Sequence, residues 1–153
     1  MPRLKEIPTR KEEEIAELLC ELTRLCNIKE EHFASSFNLS PGEFRLLKYF
    51  ASKETYTIKE LCVLLNLTPG RITHLVSSLE KKNLIKRNVT PEDRRNILIS
   101  LSSQTQNFIN NIYADHINFH NNVLIAVSDK KKGEILSSLK MMVDSLQNWI
   151  NTK

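Results

Sequence analysis

Glycine is scarce in this chain, with three residues in 153, and proline is little commoner at five. A phosphate-cradling glycine loop and a dinucleotide fingerprint both need more, and neither pattern occurs. Three cysteines are present, Cys20, Cys26 and Cys62, with no CxxC pair among them. Their odd number argues against a disulfide framework. The four histidines form no HExxH motif, and GxSxG is missing too. The common enzyme signatures are therefore absent, so no catalytic residue and no cofactor are expected. No apolar run approaches the ~18 residues that span a bilayer, which leaves no membrane partner to expect. The opening "MPRLKEIPTRKEEE" lacks the apolar centre of a secretory signal. A cytoplasmic location is the resulting expectation.

What remains is an ordinary folding composition, 41% hydrophobic and 26% charged, in a length that suits one domain. Helix starts are unusually legible. "TRKE" from Thr9, "SPGE" from Ser40 and "TIKE" from Thr57 are capping boxes, in which a hydroxyl and a Glu three residues on serve each other's backbone amides. Behind the first, Ile15, Leu18, Leu19, Leu22, Leu25 and Cys26 recur at helical spacing, which predicts a helix from about Arg10 into the low thirties. Phe44, Leu47, Phe50 and Ala51 stripe a second helix, and Ile58, Leu61, Cys62 and Leu65 a short third. After the turn "NL", Thr68 caps and Pro69 opens a fourth helix with Ile72, Leu75, Val76 and Leu79 on its apolar side. Asn83 suits the left-handed exit of that helix.

Beyond Asn83 the period changes. "LIKRNV" and "NILISL" read as strands, with Ile97, Ile99 and Leu101 in alternation, and they flank "TPEDRR" as a hairpin tip. A fifth helix is expected over about Ser103 to Val127, with Phe108, Ile112, His116, Phe119 and Val123 on one face. A sixth starts near Ser128 and carries Ile135, Leu139, Met142, Val143, Leu146 and Trp149. The fold class is mainly α, a helix-turn-helix followed by a β-hairpin wing and flanked by long helices.

Charge is concentrated in the same place. From Thr68 to Arg95 there are seven basic residues (Arg71, Lys81, Lys82, Lys86, Arg87, Arg94, Arg95) against three acidic (Glu80, Glu92, Asp93). The whole surplus of +4 sits there. By helical phase Gly70, His74, Ser77 and Lys81 oppose the apolar stripe of the fourth helix, with Arg71, Thr73 and Ser78 on its flanks. Small, polar and basic groups of this kind suit the major groove of double-stranded DNA. A narrow hairpin with arginines at its tip suits the minor groove, where negative potential draws guanidinium. A solvated polar face and a protected edge strand are the plainer explanations.

"LTPGRITHLVSSLEKKNLIKRNVTPEDRRNILISLS" resembles the helix-turn-helix and wing of MarR-type transcription regulators, through its "LEKK-x-L" helix exit, "P-x-DRR" tip and "L-x-LS" return strand. Asn83 stands where glycine is usual, and Cys62 where alanine is. The resemblance implies one domain over 1–153. A winged DNA-binding lobe would occupy 40–101, and dimerisation helices 9–36 and 102–150. It implies a homodimer on a near-palindromic operator, acting as a repressor. Thr68, Arg71, Thr73, His74 and Ser77 would fall on the recognition helix. Arg94 would enter the minor groove, Asp93 orient the tip and Arg95 lie nearer the backbone. The competing expectation is a winged-helix protein–protein module that binds no DNA.

The sequence permits three ways of sensing a signal. Cys20 lies roughly opposite the apolar stripe of its helix and is the redox candidate, although Glu17 and Glu21 disfavour a thiolate there. Cys26 and Cys62 read as small core residues. His116 and His120, spaced i, i+4, are the metal candidates and would need Cys26, His32 or Glu43 to complete a site. A small-molecule effector could enter an aromatic pocket near Phe33, Phe37, Phe44 and Phe50, which packing of these rings into the core would exclude.

Overall fold

The computed structural model describes residues 9–90 and 93–152; for 90 and 93–96 it describes the backbone alone. The elements run α1 (Arg10–Ser36), α2 (Pro41–Tyr49), β1 (Thr55–Thr57), α3 (Ile58–Leu65), α4 (Pro69–Lys81), β2 (Ile85–Thr90), β3 (Asp93–Leu101), α5 (Gln106–Val123) and α6 (Asp129–Asn151). They form two compact units, one reaching to Tyr113 and the other starting at Ala114. Among the described residues no helix is long and apolar enough to cross a membrane.

The helix starts follow local chemistry. All three capping boxes close in both directions, at Thr9, Ser40 and Thr57. Each hydroxyl cap stabilises its helix by about 1 kcal/mol. Thr68 and Ser128 cap α4 and α6 in the same way without the returning Glu. At the start of α3 the Lys53 ammonium and the Thr57 cap hold the Glu60 carboxyl down to about 2. Three non-glycine residues take the left-handed conformation, Asn38, Asn66 and Asn83, and all are asparagine. Asparagine tolerates that region because its short amide bonds locally. Each follows a helix, so the chain reverses without glycine.

The core of the first unit is built from α2, α3, α4, the sheet and the start of α5. Phe44, Leu46, Leu47, Leu61, Ile72, Val76, Leu79, Ile99, Ile109 and Ile112 are all buried. The sheet is antiparallel in the order β1-β3-β2. Tyr56 of β1 pairs with Ile99, and Arg87 of β2 flanks Ile99 on the other side. β1 has only three residues, too few for a readable alternation, and the sequence reading omits it. It exists because Tyr56 buries beside Ile99 while its neighbours complete the edge of β3.

The long helices behave differently. α1 has 27 residues and buries only Ala34, near its C-terminal end. There Phe33 stacks on Phe44, and Glu30 pairs with Arg45 and Lys48 of α2. Its earlier stripe, Ile15, Leu18, Leu22 and Leu25, is exposed in the single chain. Cys26 is exposed as well, so its reading as a core residue is corrected: α1 buries only Ala34, and Cys26 lies on the exposed earlier part of the helix. Cys62 is half-buried and packs on the core. In the second unit α6 buries none of its 23 residues, and Leu139, Val143, Leu146 and Trp149 face outward.

Candidate nucleic-acid interface

α4 is set into the first unit by Ile72, Leu75, Val76 and Leu79, all buried. That stripe fixes which residues face out. Thr68, Gly70, Arg71, Thr73, His74 and Lys81 are exposed, as expected from helical phase. Gly70 has nothing within 4 Å of where a Cβ would stand. Its φ is not positive either, so the fold itself does not call for glycine there. The main chain is simply left bare at the N-terminal turn, where free amides carry the positive end of the helix dipole.

Ser77 differs from the expectation. It is half-buried, and its hydroxyl accepts a 2.5 Å hydrogen bond from Nη2 of Arg87 on β2. Nε of Arg87 lies 3.5 Å from Glu80 of α4. Arg87 therefore ties the wing strand to the recognition helix, a role the sequence reading missed. The signal was available: Arg87 is two residues from buried Ile85, so strand alternation turns both to the same side.

The opposite flank of α4 is tied to α2. Glu43, the N3 residue of the α2 cap, is 3% exposed. Its carboxylate accepts from the Ser40 amide at 2.7 Å, the Ser78 hydroxyl at 2.6 Å and the Lys82 ammonium at 2.8 Å. Burial pushes its pKa up, but the bonds from Lys82, Ser78 and Ser40 outweigh that and hold it below the usual carboxylate range. Lys82 also donates to the Asn38 carbonyl at 2.8 Å. Above these groups lies an open cleft of about 560 Å³, with His74 and Ser35 on its walls.

These pairings divide the basic cluster. Lys82 and Arg87 are engaged inside the fold. Arg71, Lys81 and Lys86 are exposed and have no ion pair among the described residues. The formal surplus thus becomes three outward cations on α4 and β2, before the wing tip is considered. β2 and β3 pair antiparallel up to Thr90 opposite Asp93, with an irregularity after Val89. The side chains of Asp93, Arg94 and Arg95 lie outside the described residues, so the expectation for the wing tip has only this backbone frame.

Residues 29–112 match the family described as transcriptional regulator SarA/Rot. This chain belongs to that family. The match runs from the last turns of α1 into the first turns of α5 and so includes the helix-turn-helix and the strands of the wing. Among curated relatives it is 31% identical over 78 residues to the HTH-type transcriptional regulator MhqR of Bacillus subtilis (strain 168). That similarity covers 51% of this chain and spans about half of the relative, 54%. Among solved structures, a MarR family protein from Bacillus stearothermophilus superposes with a TM-score of 0.80 at 18% identity, covering 93% of this chain and 99% of that one. Streptococcus pneumoniae FabT in complex with DNA superposes at 0.79 and 18% identity, covering 90% and 98%. The chain thus belongs to the SarA/Rot transcriptional regulators and has the MarR-like winged-helix fold.

The sensing candidates are more dispersed. Cys20 is exposed on α1. His116 and His120 are half-buried on α5 with ring centres 4.7 Å apart, edge to face. Among the described residues no group of three or more His, Cys, Asp or Glu gathers at one point. Phe44 and Phe50 are buried, while Phe33 and Phe37 pack on the same core. Phe37 meets Phe108 at 5.3 Å and Phe50 meets Tyr56 at 5.1 Å, each pair edge to face.

Proposed function

We propose that this SarA/Rot protein is a homodimeric repressor that reads a near-palindromic operator. α4 enters the major groove with Thr68, Gly70, Arg71, Thr73, His74 and Lys81 toward the DNA, and with Ser77, held by Arg87, at the edge of that face. Arg94 enters the minor groove, with Asp93 orienting it and Arg95 on the backbone. The observation that carries this reading is the outward face of α4: small and polar at its start, cationic at Arg71 and Lys81, with the main chain bare at Gly70. A groove admits such a face, and an amide or hydroxyl there can reach base edges or phosphates.

Dimerisation is supported by the uncovered stripes. Ile15, Leu18, Leu22 and Leu25 on α1 repeat at helical spacing, as do Leu139, Val143, Leu146 and Trp149 on α6. Contiguous apolar surface of that extent marks an interaction face. A second copy offers the same stripes in two-fold symmetry, and two α4 helices would then address half-sites about 34 Å apart. Occupying such a site blocks access to it without any further surface, which is why repression is the direction expected. A thiol response would act through Cys20, and a metal response through His116 and His120.

Selection of bound duplexes from a random pool by the purified protein tests the reading. Recovery of a two-fold symmetric sequence supports it. Recovery of no sequence, with retained dimerisation, supports a protein–protein module instead.

A further inference from the structure

Glu43 is placed for more than capping α2. The cap requires one bond, from the Ser40 amide. The other two donors, Ser78 and Lys82, come from the far end of the chain's helix-turn-helix, 35 and 39 residues on. They stand one turn apart on a single stripe of α4 and its C-cap. Two bonds to successive turns fix both the rotation of a helix about its axis and its position along that axis.

The start of α2 lies close to the middle of α4: a Cβ on Gly42 would stand 3.1 Å from Cδ2 of Leu75, a tight contact that the Leu75 side chain would have to ease by a small shift. The carboxylate is buried where it meets α4, and a buried charge is tolerated only when its partners are in place. Rotating α4 away would strand it. The stripe holding Ser78 and Lys82 adjoins the stripe holding Gly70, His74 and Lys81, so whatever fixes one aims the other. On the other flank Arg87 holds Ser77 and Glu80.

We propose that Glu43 is a positioning residue for DNA reading, setting the rotation of the recognition helix through Ser78 and Lys82. This rests on the reading of α4 as the groove-facing helix. It adds that sequence discrimination, rather than overall affinity, depends on a residue that never touches DNA. Phosphate attraction tolerates small misalignment, whereas base-edge hydrogen bonds do not.

The test uses the full-length protein and the operator that the wild type selects, beside a scrambled duplex of equal length. For Glu43→Gln the ratio of operator to scrambled affinity should fall by about tenfold or more, with scrambled binding changed by less than about threefold. Ser78→Ala, which spares the cap, should lower the ratio by a smaller factor. Lys82→Arg keeps a cationic donor and should keep the ratio. Thermal melting of each variant separates positioning from folding. A lowered melting temperature with an unchanged ratio in both Glu43→Gln and Ser78→Ala overturns the proposal. Should Glu43→Gln not fold, Ser78→Ala decides alone. If the wild type itself prefers no duplex, the DNA-reading assignment fails and takes this inference with it, an outcome distinct from a discriminating wild type with indifferent variants.

Discussion

At the scale of single residues, Gly70 and Glu43 illustrate opposite kinds of constraint. Nothing in the chain occupies the space beside Gly70. Gly70→Ala should therefore leave the melting temperature unchanged or slightly raised, since alanine favours a helix by up to ~1 kcal/mol over glycine. Operator affinity should fall by about fivefold if the bare main chain approaches DNA closely; unaltered affinity would remove that role. Glu43 is constrained by the fold itself. Its carboxyl titrates below the ordinary value in the folded chain. Its stabilising contribution is thus complete above the unfolded value of about 4.3 and is lost as pH falls through the lowered one. The gap in melting temperature between wild type and Glu43→Gln should be steady from about pH 5 to 7 and close on acidification below about pH 4. A gap that persists unchanged at about pH 3 would contradict the ion pair with Lys82. Of these residue-level features, the capping role of Glu43 was legible in "SPGE", because a capping box is local in sequence. Its bonds to Ser78 and Lys82 were not, because nothing local links positions so far apart. Cys26 shows the same limit: a small apolar residue on an apolar stripe reads as core, although both it and that stripe are exposed in the single chain.

At the scale of elements, helix starts were readable because each depends on four consecutive residues. The exits at Asn66 and Asn83 were readable for the same reason, since asparagine takes the left-handed turn. α5 is shorter than its apolar pattern suggests. At its start Ser102 donates to the Asn83 carbonyl and packs with buried Thr105, holding a turn before the helix begins. At its end the run from Val123 to Val127 leaves the helix through tighter turns. β1 was invisible because pairing, not periodicity, makes it a strand. The wing strands were readable from alternation, and the fastening of β2 to α4 by Arg87 follows from that alternation once the side of Ile85 is known. For the hairpin, Arg94→Ala should weaken operator binding about tenfold while leaving the melting temperature and oligomeric state unchanged. Binding that stays at the wild-type level in a gel-shift or anisotropy titration would remove the minor-groove contact from the mechanism.

At the scale of the whole molecule, the apolar stripes of α1 and α6 were legible as helix faces, but a single sequence does not say what covers them. The structure narrows this by leaving both uncovered in one chain. Leu146→Glu should therefore yield a monomer in sedimentation, with the winged unit still folded and operator affinity reduced by at least about a hundredfold. An unchanged dimer would place the interface elsewhere. The division of charge matters at this scale too. Lys82 and Arg87 are engaged within the fold, so on the proposed reading Arg71, Lys81, Lys86 and the wing arginines are the cations of this segment that would attract phosphate. The most direct measurement of the central claim is the salt dependence of operator affinity for the purified dimer. If α4 and the wing seat the protein on about 6–10 phosphates, the logarithm of affinity falls against the logarithm of salt with a slope of about −5 to −9. A flat response across the same salt range would contradict it.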